Sequence, residues 1–141
     1  MFCENEPMGY IGNYMVDKKF RVVIPCTLKA EKKSEVLAVV DFGEDFLRIY
    51  PEKTILEKQK EALLNKDMDS FLAYSKAAYA KVDNSSRYII PKDFLEAKNI
   101  KDRCIIIGGG DCIFIWSVET YNKKHEAACD KKRERIRSKE A

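Results

Sequence analysis

The sequence contains one histidine, His125, and no Cys-x-x-Cys pair among its five cysteines. Zinc sites draw on such pairs, and His125 lies in a polar helical stretch far from any cysteine pair, so neither a metal nor another cofactor is expected. No candidate nucleophile stands beside a base in a usable pattern, and an enzyme is not expected. No apolar run approaches the roughly 18 residues that cross a bilayer. The first residues, "MFCENEPMGY", lack the basic and apolar segments of a secretory signal. The expected location is the cytoplasm, where Cys3, Cys26, Cys104, Cys112 and Cys129 would be reduced and mostly buried. An excess of charge of one sign is also nearly absent. Lys and Arg number 26 against 23 Asp and Glu, and the net charge of +3 does not by itself predict a nucleic-acid partner.

What the chain does have is globular composition, with 45% hydrophobic and 35% charged residues. Its 141 residues suffice for one compact domain or two small intertwined halves. The second possibility is favoured by an internal repeat. "DKKFRVVIP", starting at Asp17, returns as "DNSSRYIIP", starting at Asp83, an offset of 66 residues. Carried without a gap, that offset aligns Tyr14–Ala62 with Ala80–Ala128 and leaves 12 identities in 49 positions. Among them are Asp17/Asp83, Arg21/Arg87, Pro25/Pro91, Lys32/Lys98, Gly43/Gly109, Asp45/Asp111 and Lys58/Lys124. Average composition gives roughly three by chance.

Each copy carries the same punctuation. A short strand meets a polar turn, then a β-branched run closed by proline, which suits a strand end or a helix start. A short polar or helical segment follows ("KAEKKSE", "KDFLEAKN"), then a glycine-containing hairpin ("VLAVVDFGEDFLRIY", "RCIIIGGGDCIFIWS"). A helix is expected after each hairpin, capped by Thr54 or Thr120, with a break near Asn65–Asp69 dividing the first into two. The expected fold is α+β, mainly β. Residues 8–53 form a first unit, 54–79 linking helices, 80–117 a second unit, and 118–141 a terminal helix with a mixed-charge tail. A unit of this size is too small to bury a core alone. Two of them, packed about a pseudo-twofold axis, would share one barrel.

The repeated acid and proline have a structural explanation, since Asp accepts backbone N–H groups in a turn and Pro ends a strand. The repeated arginine does not, because a surface ion pair is worth only about 0–1 kcal/mol. A guanidinium instead offers a bidentate donor to phosphate or to guanine. Lys18 and Lys19 add charge beside Arg21, whereas Asn84 and Ser85 replace them beside Arg87.

Asp17, Lys19, Arg21 and Pro25, and then Asp83, Arg87 and Pro91, match the D-x-K-G-R-x-x-x-P and D-x-x-G-R-x-x-x-P motifs of the MraZ family. With "YIGNY", "LRIYP" and "IFIWS" as further landmarks, the chain resembles that family over nearly its whole length. The resemblance implies two tandem SpoVT-AbrB-like units in a sequence-specific DNA-binding transcriptional regulator, with repression the expected mode. It implies a cytoplasmic, nucleoid-associated ring homo-oligomer on promoter repeats, those of the division and cell-wall gene cluster among them. DNA-contacting residues would be Lys18, Lys19, Arg21, Asn84, Ser85 and Arg87. Neither a membrane nor a small-molecule ligand is implied.

The family glycine is Phe20 in the first motif and Ser86 in the second. Either the first turn is reshaped, or it presents a ring to DNA, to protein or to the core. The alternative function is an oligomeric scaffold of the same fold that lost DNA recognition with its glycines. Weaker signals have plainer readings. "IGGGD" fits neither GxGxxG nor a Walker loop. Cys104 and Cys112 flank the second hairpin and are read as apolar packing, facing each other across it. Asp41, Glu44 and Asp45 cluster without a second ligand set, and "KKRERIRSK" reads as a solvated helix face.

Overall fold

Runs rich in Val, Ile and aromatic residues become strands, and the polar, periodic stretches between them become helices. The computed structural model describes residues 8–24 and 36–140. The first copy supplies β1 (Met8–Met15), β2 (Arg21–Val23), β3 (Val36–Val40) and β4 (Phe46–Pro51). Helices α1 (Glu52–Leu64) and α2 (Met68–Ser75) link it to β5 (Ala78–Lys81) and β6 (Arg87–Ile89). Then come α3 (Lys92–Ala97), β7 (Arg103–Gly109), β8 (Ile113–Ser117) and α4 (Val118–Glu140). The stretch "KAEKKSE" lies outside the described residues.

Six strands form one antiparallel sheet in the order β1-β7-β8-β4-β3-β5, and β2 pairs with β6 in a separate two-stranded ribbon. The order reads the same from either end once the copies are exchanged. Each outer strand pairs with the other copy, β1 with β7 and β5 with β3. The halves are therefore intertwined. The pseudo-twofold axis runs through two self-paired positions of the repeat, Val22 opposite Tyr88 and Arg48 opposite Phe114. The expected barrel is not closed. β1 and β5 remain sheet edges, and the ribbon strands are only three residues long, meeting the sheet ladder through an isolated Val16–Val22 bridge.

The strand registers also correct the ungapped repeat. In the hairpins Val39 faces Ile49 whereas Ile106 faces Ile115, so β3 and β7 correspond at an offset of 67 while β4 and β8 keep 66. Copy one has one more residue in its hairpin turn, compensated upstream. The structural partner of Gly43 (φ 76°) is thus Gly110 (φ 89°), and both hold the left-handed turn position that glycine takes without a Cβ clash. The repeated Lys and Asp pairs form exchanged bridges: Lys58 to Asp111 at 2.8 Å and Lys124 to Asp45 at 3.2 Å. Each helix that follows one hairpin is tied to the hairpin turn of the other copy.

Between sheet and ribbon lies the main core, with Val22, Ile24, Leu37, Val39, Leu47, Ile49, Tyr88, Ile90, Cys104, Ile106, Ile113 and Ile115 all buried. A second cluster, including Ala38, Val40, Tyr50, Ile55, Tyr74 and Cys112, packs the opposite sheet face under α1 and α2. Cys104 and Cys112 therefore do not face each other; Cys104 is opposite Ser117 and belongs to the other cluster. Burial pushes both thiols up to about 12, which leaves no thiolate at neutral pH.

The helix break comes where expected, with Lys66 at φ 57° and Asp67 accepting the Ser70 N–H to start α2. The caps differ from expectation. Pro51 fixes the start of α1, placing Thr54 inside the helix, and Ser117 rather than Thr120 accepts the N-terminal N–H of α4. The acidic cluster resolves into ion pairs: Asp41 with Lys98, Glu44 with Arg48, and Asp45 with Lys124. Among the described residues no helix is long and apolar enough to cross a membrane, and no group of three metal-ligating side chains is found.

Candidate nucleic-acid interface

The reason for an acid and a base four residues apart is visible in both turns. Asp17 Oδ1 accepts the backbone N–H groups of Lys19 at 2.8 Å and Arg21 at 2.9 Å, while Oδ2 accepts Arg21 Nε at 2.7 Å. Asp83 repeats the pattern with Ser85 N at 2.9 Å, Arg87 N at 2.8 Å and Arg87 Nε at 3.1 Å. One carboxylate thus shapes the turn and fixes the guanidinium plane. The Nη edge of each arginine has no partner among the described residues. Pro91 then sets the start of α3, whereas Pro25 lies outside the described residues.

The fourth turn residue must be left-handed. Phe20 has φ 63° and Ser86 φ 65°, so the glycine conformation survives without glycine. The first turn is not reshaped. Such a conformation costs a non-glycine residue about 1–2 kcal/mol. It is held by Phe20 N–H donating to Asp17 O (3.0 Å) and by Ile90 N–H donating to Phe20 O (2.9 Å). In copy two the matching bonds are Ser86 N–H to Asp83 O at 3.0 Å and Ile24 N–H to Ser86 O at 2.8 Å. Each turn is therefore locked onto the ribbon strand of the other copy.

Those bonds have a pH signature. The backbone N–H of Arg21 lowers the Asp17 carboxyl below the ordinary aspartate value of 3.8, and that of Arg87 does the same for Asp83. A carboxylate depressed in the folded state stabilises the fold above its unfolded pKa, and the contribution is lost as pH falls through the folded pKa. The double variant Asp17→Asn/Asp83→Asn is thus expected to lose stability less steeply than the parent below about pH 4. Urea titrations at several pH values measure this; parallel slopes would remove the carboxylates from the acid response.

Alternation decides the ribbon faces. Val22 and Tyr88 point inward and are fully buried, leaving Arg21, Val23, Arg87 and Ile89 on the outer face. Arg21 is opposite Ile89 and Arg87 is opposite Val23, so the arginines are diagonal neighbours, about 7–8 Å apart at the backbone with their Cβ atoms somewhat closer. Exposed Lys18 and Lys19 lie in the turn at one end of the ribbon, and exposed Asn84 and Ser85 in the turn at the other. The six candidate residues therefore gather along one short ribbon. A two-stranded ribbon is narrow enough for a DNA major groove.

Sequence reasoning missed the apolar members of this face, Val23 (45% exposed) and Ile89 (52% exposed), although a period of two in "RVVI" and "RYII" marks them. It also missed Lys92, whose ammonium lies 6.0 Å from the Phe20 ring centroid. His125 sits 3.7 Å from Cys129 on α4, a two-residue contact without further ligands among the described residues.

Residues 73–138 match the family described as "MraZ protein, putative antitoxin-like". The transcriptional regulator MraZ of Clostridium tetani is 33% identical over 129 residues, covering 86% of this chain and 90% of that protein. That of Mycoplasmoides gallisepticum is 29% identical, with 86% and 91% covered. That of Mycoplasmopsis pulmonis is 28% identical, with 92% of each covered. With the repeat, the paired turns and this likeness over most of its length, the chain belongs to the MraZ family of transcriptional regulators.

Proposed function

We propose that this regulator is a sequence-specific DNA-binding protein whose contact surface is the outer face of the β2–β6 ribbon and the turns at its ends. Arg21 and Arg87 would engage phosphate or guanine, Lys18 and Lys19 phosphates, and Asn84 and Ser85 phosphates as neutral donors. The supporting observation is that each arginine is fixed by its own aspartate on one exposed face, with its Nη edge unspent among the described residues. A prepositioned bidentate donor loses little entropy on binding.

One protomer offers few contacts, so the reading includes a ring homo-oligomer on promoter repeats, where linked sites gain effective concentration. Leu63, Leu64, Met68 and Leu72, exposed on α1 and α2, offer apolar surface for self-association. Repression at promoters such as that of the division and cell-wall cluster, in a cytoplasmic, nucleoid-associated protein, completes the proposal. The protein is not an enzyme, in keeping with its family, and no small-molecule ligand is proposed. The scaffold alternative rested on lost glycines, and that support weakens because both turns keep the glycine conformation.

The test is a salt titration of binding to DNA from upstream of the protein's own gene, against a scrambled duplex. Tighter binding to the native duplex is expected, with a log–log salt slope that falls by about 0.9 for each phosphate that the Arg21→Ala variant no longer neutralises. Equal, weak binding to both duplexes would reject the proposal and favour the scaffold.

A further inference from the structure

We propose that Phe20 is a base-stacking residue, pressing its ring against one base step beside the phosphates engaged by Lys18, Lys19 and Arg21. This rests on the DNA-binding reading above. The backbone gives no reason for an aromatic residue here. Phe20 at φ 63° and Ser86 at φ 65° occupy equivalent left-handed positions, which glycine fills with least strain. The core gives little more reason. The ring borders a shallow groove with Val16, Leu95 and Ile100, yet Phe20 stays 36% exposed and belongs to neither buried cluster.

Its surroundings fit DNA. Lys18 and Lys19 are exposed in the same turn, and Lys92, paired with Glu96 at 3.6 Å, lies over the ring. An apolar plane flanked by cations is the combination that engages a base and its neighbouring phosphates together. The turn hydrogen bonds to Asp17 and Ile90 fix the residue before any partner arrives. Ser86 has no ring, so only one turn of each protomer would unstack a step. The two ends of the ribbon would then read DNA unequally.

The experiment uses the full-length protein and the native upstream duplex, with 2-aminopurine replacing adenine at one position at a time. Wild-type binding is expected to raise fluorescence at one position per repeat. Phe20→Gly should abolish that rise and weaken binding about ten- to a hundredfold, the range carried by one stacked base. Its salt slope should stay unchanged and its melting temperature equal or higher. Phe20→Leu, which keeps apolar contact but not the ring, should follow Phe20→Gly in DNA binding while melting like wild type. Flat fluorescence at every position of a tightly bound duplex overturns this inference alone. So does unchanged or tighter binding by Phe20→Gly, or a change in its oligomeric mass, which would make the ring a protein contact. Salt-independent, non-selective binding by wild type overturns the DNA-binding reading and this inference with it.

Discussion

Replacing Tyr88 with alanine is expected to lower stability by about 3–5 kcal/mol, a large part of the 5–15 kcal/mol that holds most domains. Tyr88 is fully buried on the pseudo-twofold axis, opposite its own repeat equivalent, Val22. One large and one small side chain thus fill the space that two equal residues would have to share. Its hydroxyl donates to the Ala78 carbonyl at 2.9 Å, which ties the ribbon to edge strand β5. Burial raises the hydroxyl pKa, so it is a donor at neutral pH. Truncation therefore opens a cavity and takes a partner from a carbonyl. Tyr88→Phe separates the two effects, and about 1–2 kcal/mol is expected from the hydroxyl alone. Urea unfolding measures both. A Tyr88→Ala value within 1 kcal/mol of the parent would mean that the ribbon is not integral to the core.

Much of this was legible in the sequence because the repeat is local and heavily punctuated. Asp17, Arg21 and Pro25 return as a set, and the break before Asp67 carries its own cap. What was hidden depends on long-range pairing. Whether β1 and β5 close a barrel or remain edges is decided by distant partners, β3 about 40 residues from β5 and β7 some 90 to 100 residues from β1. The compensating one-residue shifts kept the total offset at 66, so Gly43 aligned with Gly109 while the backbone matched it to Gly110. Phe20 misled for a different reason. The turn hydrogen bonds outweigh the strain of a left-handed phenylalanine, so a residue that argues against the turn sits in it. Val23 and Ile89 lie on the outer face because their buried neighbours Val22 and Tyr88 force them outward. The candidate site was thus legible as a set of residues and not as a surface.

On the proposed DNA-binding reading, the geometry of that surface makes the arginines the most sensitive positions. A hydrogen bond to a charged group contributes about 1.5–3 kcal/mol, so Arg21→Ala or Arg87→Ala should each weaken specific binding by roughly 10- to 150-fold. Because the ring would multiply any loss across protomers, the measurement belongs on a short duplex carrying one repeat. Arg21→Lys distinguishes charge from shape. It keeps the cation but loses the fork and the Nε bond to Asp17. Its salt slope should match wild type while its preference for native over scrambled DNA falls. Equal loss of slope in the lysine and alanine variants would reduce Arg21 to a turn-forming residue. The double variant Arg21→Ala/Arg87→Ala decides whether the ribbon touches DNA at one place or two. Its arginines are diagonal neighbours held by separate carboxylates, so each should engage its own group on the DNA. Losses that add, to about 3–6 kcal/mol, fit two independent contacts. A double variant no worse than either single one would mean that both guanidinium groups clamp one phosphate, with the pseudo-twofold axis passing through it.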